Sequence, residues 1–175
     1  MKEYGQCNVS TPAVSTESDV LTLSTYSGDL AGYAQVPFAE ASASSSFSEN
    51  GYTYQPGYAI DQKVERPWVE GVKGDGIGEY LLLSFDRPER IDLLSIHPGF
   101  PTSYEKNNRP QKVEISFSDG RSIDYELEDL NEDIYILFSQ PVLTEYLKIT
   151  ILSVYHGQIP DTCIAEICAF TSRNN

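Results

Sequence analysis

Two short stretches of the chain combine side chains that are typical of sugar-binding loops. The first contains Trp68, Glu70, Lys73 and Asp75, and the second contains Tyr104, Lys106, Asn107, Asn108 and Arg109. Aromatic rings pack against the C–H faces of sugars, while amide, carboxylate and guanidinium groups hydrogen-bond to their hydroxyls. These residue types predict ligand binding by both loops. A structural interpretation stays open for each loop: Trp68 is expected to pack in the core, and Asn107-Asn108 to form a turn.

One acidic residue falls within an apolar pattern near the end of the chain. Ile164, Glu166, Cys168 and Phe170 alternate along one predicted strand and would share a face. A carboxylate on an apolar face is costly unless it is paired or binds a metal. Glu166 is therefore expected to bind calcium, to pair with a Lys or Arg, or to lie near the strand end in contact with water.

Other kinds of chemistry have little support. Gly74-Asp75-Gly76-Ile77-Gly78 superficially resembles a phosphate-binding loop, but a predicted strand follows it where a dinucleotide-binding site needs a helix. His97 and His156 lie outside any recognisable nucleophile or metal motif. The sequence predicts a protein that is not an enzyme, without a catalytic residue.

The three cysteines, Cys7, Cys163 and Cys168, form no CxxC pair. Cys163 and Cys168 are five residues apart in a strand-like segment, so their Cα atoms would lie about 16 Å apart, too far for a disulfide. We expect all three to be free thiols, with Cys168 buried. A disulfide from Cys7 to one of the others is the alternative.

From about residue 78 the apolar residues alternate with polar ones, the pattern of half-buried antiparallel strands. Five further strands are predicted, separated by prolines: Tyr80–Phe85, Ile91–Ile96, Ile134–Phe138, Glu145–Leu152 and Ile164–Phe170. Two more strands are predicted, one containing Val113 and Ile115 and the other Ile123 and Tyr125. A three-residue loop between them, Ser118-Asp119-Gly120, would pair Ile115 with Ile123 and Val113 with Tyr125. Many short strands without a helical stripe predict a β-sandwich or barrel.

Length and composition predict one domain with a tail. Residues 1–30 are rich in Ser, Thr and acids and are expected to form a flexible tether, with the folded module at 31–175. The stretch from Ala41 to Asn50 is expected to form a strand edge and loop. The net charge of −14 disfavours nucleic acid and anionic lipid as partners. No apolar run approaches the length of a membrane span, so membrane insertion is not expected. No signal segment is expected at the N-terminus.

Several ordered motifs resemble the discoidin-like module of bacterial NAD glycohydrolase translocation domains, part of the wider galactose-binding-like group. They are Ala59-Ile60-Asp61, Pro67 to Val72, Gly74 to Tyr80, Lys106 to Pro110, Phe117 to Gly120, Ile149 to Tyr155 and Asp161 to Ile167. The resemblance covers roughly residues 36–171. It implies an all-β, jelly-roll-like antiparallel sandwich of about eight strands, whose loops at one end bind glycans, lipids or proteins.

The resemblance also implies a structural calcium ion held by Asp61 and Glu166, with help from nearby backbone carbonyls. However, Lys63 and Arg66 stand where the family usually has an acid and a hydroxyl. A cation from the protein itself is therefore an alternative occupant of the calcium position.

These observations together predict a non-catalytic module that binds a glycan or a host-surface ligand outside the cell or at its surface. The alternative is a bacterial envelope lipoprotein with a structural or protein-docking role. The resemblance does not carry NAD-cleaving activity. The ligand itself and the oligomeric state are left open by the sequence.

Overall fold

The computed structural model describes residues 20–173. Their regular structure consists of strands and two short 3-10 helices, Pro56–Ile60 and Pro101–Ser103. The strands are β1 Leu23–Thr25, β2 Tyr33–Val36, β3 Glu40–Ala43, β4 Ser48–Glu49, β5 Tyr52–Thr53, β6 Trp68–Val69, β7 Tyr80–Pro98, β8 Asn107–Phe117, β9 Ser122–Glu126, β10 Ile134–Tyr155 and β11 Ile159–Ser172. Within this part of the chain, no helix has the length and hydropathy of a transmembrane span.

The strands form two layers that share their longest members. The first layer contains β3, the N-terminal part of β7, the C-terminal part of β10, β8 and β9. The second contains β1, the N-terminal part of β10, the C-terminal part of β7 and β11, with β2 and β6 both paired to β11. This is the all-β jelly-roll sandwich that the sequence predicts, with more than the eight strands expected.

Four of the predicted strands are joined in pairs. Tyr80–Phe85 and Ile91–Ile96 are the two parts of β7, and Ile134–Phe138 and Glu145–Leu152 are the two parts of β10. The β7–β10 ladder shifts in register between the parts, and Pro88 and Pro141 lie at these shifts. Because proline lacks an N–H donor, it is tolerated where ladder bonds are interrupted. The chain thus stays extended as it passes from one layer to the other.

The space between the layers is filled with aliphatic side chains. Leu83, Ile115 and Leu147 come from the first layer and Leu94 and Ile136 from the second, and all five are fully buried. Burying each such side chain contributes roughly 1.5–3 kcal/mol. This core holds the two layers rigidly and fixes the positions of the loops at both ends.

The hairpin between β8 and β9 has the predicted register. Ile115 pairs with Ile123 and Val113 with Tyr125. Gly120 has φ of +87°, and its N–H donates to the carbonyl of Phe117 at 3.1 Å. The left-handed residue that this three-residue loop requires is supplied by glycine, as expected.

The sandwich begins earlier than the predicted boundary at residue 31. β1 pairs with β10, and Leu21 belongs to the core. Leu21 and Leu23 supply the apolar side chains that attach this segment, so residues 20–30 are not a simple tether. The rest of the predicted tether, together with Cys7, lies outside the described residues.

Both described cysteines lie in β11 and are free thiols, as expected from their spacing. The predicted burial of Cys168 is wrong, since this side chain is partly exposed, whereas Cys163 is fully buried. Burial still raises the pKa of Cys168 to about 12, so this thiol is protonated at neutral pH.

Candidate functional site

The two predicted binding loops meet at one end of the sandwich. The amide of Asn108 donates to the carboxylate of Asp75 at 3.0 Å and to the carbonyl of Pro160 at 3.2 Å. Its oxygen accepts the N–H of Gly157 at 2.8 Å, and the side chain is only 1% exposed. Asn108 therefore ties three loops together and has no amide group left for a ligand.

Two predicted ligand residues of the first loop are fully buried. The indole N–H of Trp68 donates to the carbonyl of Ser45 at 3.0 Å, and its ring lies in the core. The carboxylate of Glu70 accepts the N–H groups of Val72 at 2.8 Å and Thr162 at 3.2 Å. Desolvation raises the pKa of Glu70. Neither side chain presents a surface to a ligand, while Lys73 is exposed on the same loop.

The glycine-rich stretch is explained by Glu70. Gly76 has φ of +66°, and a Cβ atom there would lie 2.6 Å from Cγ of Glu70. The loop therefore wraps closely around the buried carboxylate, and only glycine allows both the close approach and the left-handed backbone. This confirms that the stretch is a tight connection leading into a strand.

Arg109 and Tyr104 form a structural cluster. The guanidinium of Arg109 donates to both carboxylate oxygens of Asp129, at 2.5 and 2.6 Å. It also lies 4.7 Å from the ring centroid of Tyr104 and 5.8 Å from that of Tyr155. The hydroxyl of Tyr104 donates to Asp129 at 3.0 Å, and burial together with this carboxylate raises the pKa of Tyr104. The hydroxyl of Tyr104 and two of the three guanidinium nitrogens of Arg109 are thus already engaged. The third nitrogen, Nη1, is buried without a hydrogen-bond partner in residues 20–173.

An open cleft of about 180 Å³ lies at this end of the molecule. It is lined by Phe47, Glu49, Tyr54, Val69, Phe100, Asn107, Ile159 and Asp161. Of the predicted ligand-binding residues, only Asn107 belongs to this lining. The sequence analysis missed the aromatic and acidic side chains that shape the cleft.

A small hairpin supplies one wall of the cleft. β4 and β5 pair only with each other and are joined by Asn50-Gly51, both with positive φ, at +52° and +81°. The N–H of Tyr54 donates to the carbonyl of Phe47 at 3.0 Å, and the N–H of Phe47 donates to the carbonyl of Val69 at 2.8 Å. These bonds fasten the hairpin to β6, so its side chains face the cleft from a fixed position.

Aromatic rings run along this wall in contact with one another. The centroid of Tyr54 lies 6.1 Å from those of Phe47 and Phe100 and 4.9 Å from that of Tyr52. Tyr52 is 43% exposed, so the aromatic surface continues beyond the cleft. Such a surface is suited to packing against the apolar face of a sugar ring.

The polar part of the lining is acidic. Within residues 20–173, neither the carboxylate of Glu49 nor that of Asp161 forms a hydrogen bond or an ion pair. Desolvation raises the pKa of Asp161, and the negative charge of Glu49 adds to this effect. Together with the Asn107 amide, these groups offer acceptors and donors beside the aromatic rings.

The predicted calcium residues are neighbours, but one of them, Asp61, already pairs with a cation of the protein. The guanidinium of Arg66 forms an ion pair with Asp61, whose other oxygen accepts the N–H of Lys63 at 3.0 Å. In residues 20–173, no group of three or more His, Cys, Asp and Glu side chains is arranged to hold a metal. The guanidinium of Arg66 is thus paired with the carboxylate that a calcium ion would need as a ligand.

Glu166 is buried without a cationic partner. The backbone N–H groups of Gln62 and Lys63 donate to its carboxylate, and one oxygen, Oε2, has no partner in the described part of the chain. Desolvation, with a smaller effect from Asp61, raises the pKa of Glu166 to about 7. Within residues 20–173, Glu166 neither pairs with Lys or Arg nor lies in contact with water, since it is 6% exposed. Calcium, the third interpretation from sequence, would compete with Arg66 for Asp61.

Residues 32–170 match the family described as NAD glycohydrolase translocation F5/8 type C domain. The chain belongs to this family. The matched segment begins at the turn before β2 and ends near the C-terminus of β11, so it covers both layers of the sandwich. No curated protein is significantly similar to the chain.

Several solved structures share this fold, among them carbohydrate-binding modules of Clostridium perfringens. The family 32 carbohydrate-binding module of NanJ, in complex with galactose, superposes with a TM-score of 0.62 at 22% identity over 79% of this chain and 99% of its own. The fifth such module of a family 89 glycoside hydrolase, in complex with GalNAc-β-1,3-galactose, gives 0.64 at 19% identity over 79% and 100%. Two modules of ZmpB, in complex with GalNAc, give 0.66 at 14% identity over 86% and 39%.

Proposed function

We propose that this domain is a non-catalytic carbohydrate-binding module that takes a sugar in the cleft between the β4–β5 hairpin and β11. The observation that carries the proposal is one open cleft in which aromatic rings meet an amide and two carboxylates that have no partner in residues 20–173. Protein sugar sites need this combination, because rings pack on C–H faces and polar groups hydrogen-bond to hydroxyls. The ligands of the structural neighbours, galactose and GalNAc, support the same class of ligand.

The proposal places the domain outside the cell or at its surface, where glycans are displayed. A net charge of −14 favours solubility in such a setting and disfavours adsorption to anionic lipid. The domain would then act by holding its parent protein close to a glycan, with no chemical step of its own.

The test is an NMR titration of the isotope-labelled domain with galactose and N-acetylgalactosamine up to tens of millimolar. We expect saturable shift changes confined to residues around the cleft. Tyr54→Ala and Phe100→Ala should each weaken binding by roughly tenfold, because losing a stacking ring costs about 0.5–1.5 kcal/mol beyond its buried area. Tyr146→Ala is the matched control. Tyr146 is also a partly buried tyrosine, but it lies in the first layer, opposite Ser84, and is not part of the cleft lining.

Two results would argue against the proposal. One is the absence of saturable shifts with any sugar of a broad glycan panel. The other is equal binding by the Tyr54→Ala, Phe100→Ala and control variants, which would mean that the sugar does not use the cleft.

A further inference from the structure

The two carboxylates of the cleft, Glu49 and Asp161, have no cationic partner within residues 20–173. Several carboxylates form ion pairs: Asp61 with Arg66, Asp119 with Arg121, Asp124 with Lys112, and Asp129 with Arg109. Glu49 and Asp161 form none within residues 20–173, and no basic side chain is part of the cleft lining. The cleft therefore presents two uncompensated negative charges to whatever enters it.

The position of Asp161 makes this charge costly in the empty cleft. The residue is only partly exposed, and it lies beside the apolar side chains of Val69, Phe100 and Ile159. Partial desolvation and the neighbouring charge of Glu49 both disfavour its ionised form. The attraction of a cation bound in the cleft would offset both effects, whereas an anion would add a further repulsion.

The aromatic wall favours a cation for a separate reason. The faces of aromatic rings carry partial negative charge and attract ammonium groups within about 6 Å of the ring centre. Phe47, Tyr54 and Phe100 line the same cleft as the two carboxylates. Rings that pack on the C–H face of a sugar can thus also attract a positively charged substituent on that sugar.

We infer that the cleft selects sugars that carry a free, positively charged amino group over the N-acetylated sugar, and both over acidic sugars. This inference rests on the proposed function and deepens it by naming the ligand class. Neutral sugars still bind through their hydroxyls, since carboxylates accept hydrogen bonds from them. Uronic acids and other acidic sugars are repelled by Glu49 and Asp161 and by the net charge of the whole protein.

The experiment compares matched ligands with the wild-type domain at about pH 6, where the amine is charged. The ligands are galactosamine, N-acetylgalactosamine and galacturonic acid, together with the corresponding glucose series, and the dissociation constants come from NMR titration. In whichever series binds, we expect the amino sugar to bind roughly three- to tenfold more tightly than its N-acetyl form, the range that a partly exposed ion pair provides. The uronic acid should bind most weakly.

Neutral variants test which residues carry the preference. Asp161→Asn and Glu49→Gln should each reduce it to less than about twofold, and their amide spectra should show that the fold is retained. Glu145→Gln removes an acid close to the Ser118 turn, which lies at the end of β8 opposite the cleft residue Asn107, and should keep the full preference. Raising NaCl from about 20 to 500 mM should shrink the preference in the wild type.

Two outcomes would overturn the inference. If the N-acetyl sugar binds as tightly as the amine, or if both neutral variants keep the preference, selection by these carboxylates is wrong while sugar binding stands. If none of the six sugars and no glycan of the panel binds, the proposed function fails as well.

Discussion

The guanidinium of Arg109 lies between two tyrosine rings and forks onto the carboxylate of Asp129. This pair is bidentate and charge-assisted, the strongest class of side-chain hydrogen bond. It also connects β8 to the segment that follows β9, because Asp129 lies after that strand. The cluster is therefore expected to stabilise the loop end of the sandwich that carries the cleft.

This pair leads to a prediction about acid stability. Arg109 lowers the pKa of Asp129, so the interaction contributes fully above the pKa that this carboxyl has in the unfolded chain, about 3.9. The contribution is lost as the pH falls through the lower, folded pKa. Asp129→Asn should lower the free energy of unfolding by roughly 1–2 kcal/mol at pH 7, and by much less at pH 2.

Urea denaturation of the wild type and the variant at the two pH values measures the difference. Equal destabilisation at pH 7 and pH 2 would show that the charge of Asp129 contributes little. Asp124→Asn serves as a control, since Asp124 pairs with Lys112 at an exposed position and should contribute less.

Arg66 supports a second prediction at this scale. Because its guanidinium pairs with Asp61, the position expected for calcium already holds a positive charge. Adding 5 mM calcium or EDTA should therefore leave the melting temperature of the wild type unchanged to within about 1 °C, as measured by differential scanning fluorimetry. Magnesium at the same concentration controls for general screening of this acidic protein. A rise specific to calcium and reversed by EDTA would contradict the prediction.

Residue types gave an incomplete view of the candidate site. The types found at Trp68, Glu70, Asn108 and Arg109 suit sugar binding, but all four side chains are held by hydrogen bonds within the protein. A side chain that can bind a hydroxyl can equally bind a backbone group, and the sequence does not reveal which partner is nearer. The location of the loops at one end of the sandwich could be predicted, whereas the orientation of each side chain could not.

At the scale of elements, the β8–β9 hairpin shows how a loop sequence sets strand register. Its three-residue turn places Val113 and Ile115 on the buried face opposite Tyr125 and Ile123. A shift by one residue would turn the apolar side chains of one strand towards water. The register could be predicted because the apolar pattern and the glycine agree on it.

Gly120 makes this claim testable. Its φ is +87° and a Cβ atom there would meet no neighbour within 4 Å, so substitution tests the backbone conformation alone. Gly120→Ala should lower the free energy of unfolding by about 1–2 kcal/mol. Gly57→Ala, also without neighbours but outside the positive-φ glycines, should change it by less than about 0.5 kcal/mol. Chemical denaturation of both variants decides the matter; similar effects would argue against a conformational cause.

The β4–β5 hairpin carried a signal that the sequence analysis did not use. Asn50-Gly51 is the dipeptide most typical of a two-residue hairpin turn, because both residues tolerate positive φ. The expected strand edge and loop describe the start of Ala41 to Asn50, where β3 pairs with β7, while its end belongs to the hairpin strand β4. Each strand of the hairpin has two residues, too short for a visible alternation. Placing Phe47 and Tyr54 in a cleft depends on contacts with β6, which are distant in sequence.

At the scale of the whole molecule, the sandwich architecture follows from alternation along the strands. The joining of predicted strands into β7 and β10 could not be predicted from alternation, because a proline in each segment indicated a break. Jelly-roll strands pass between layers at such interruptions, so the chain continues in the extended conformation although its ladder is broken. The layers and core could be predicted from local pattern, and the path between layers required the complete three-dimensional packing.

The net charge of the molecule yields the last prediction. Twenty-six acidic and twelve basic residues give a net charge of −14. The excess acidic side chains should repel one another more strongly in the compact state than in the expanded unfolded chain. Added salt screens this repulsion, since the Debye length falls from about 30 Å at 0.01 M to about 8 Å at 0.15 M. The melting temperature should therefore rise by a few degrees between 10 and 150 mM KCl at pH 7, where a change of 1 kcal/mol corresponds to about 2–4 °C for a domain of this size. Ion pairs such as that of Arg109 with Asp129 are weakened by the same screening, so the sign of the change shows which effect is larger. A falling melting temperature would mean that local pairs outweigh the general repulsion.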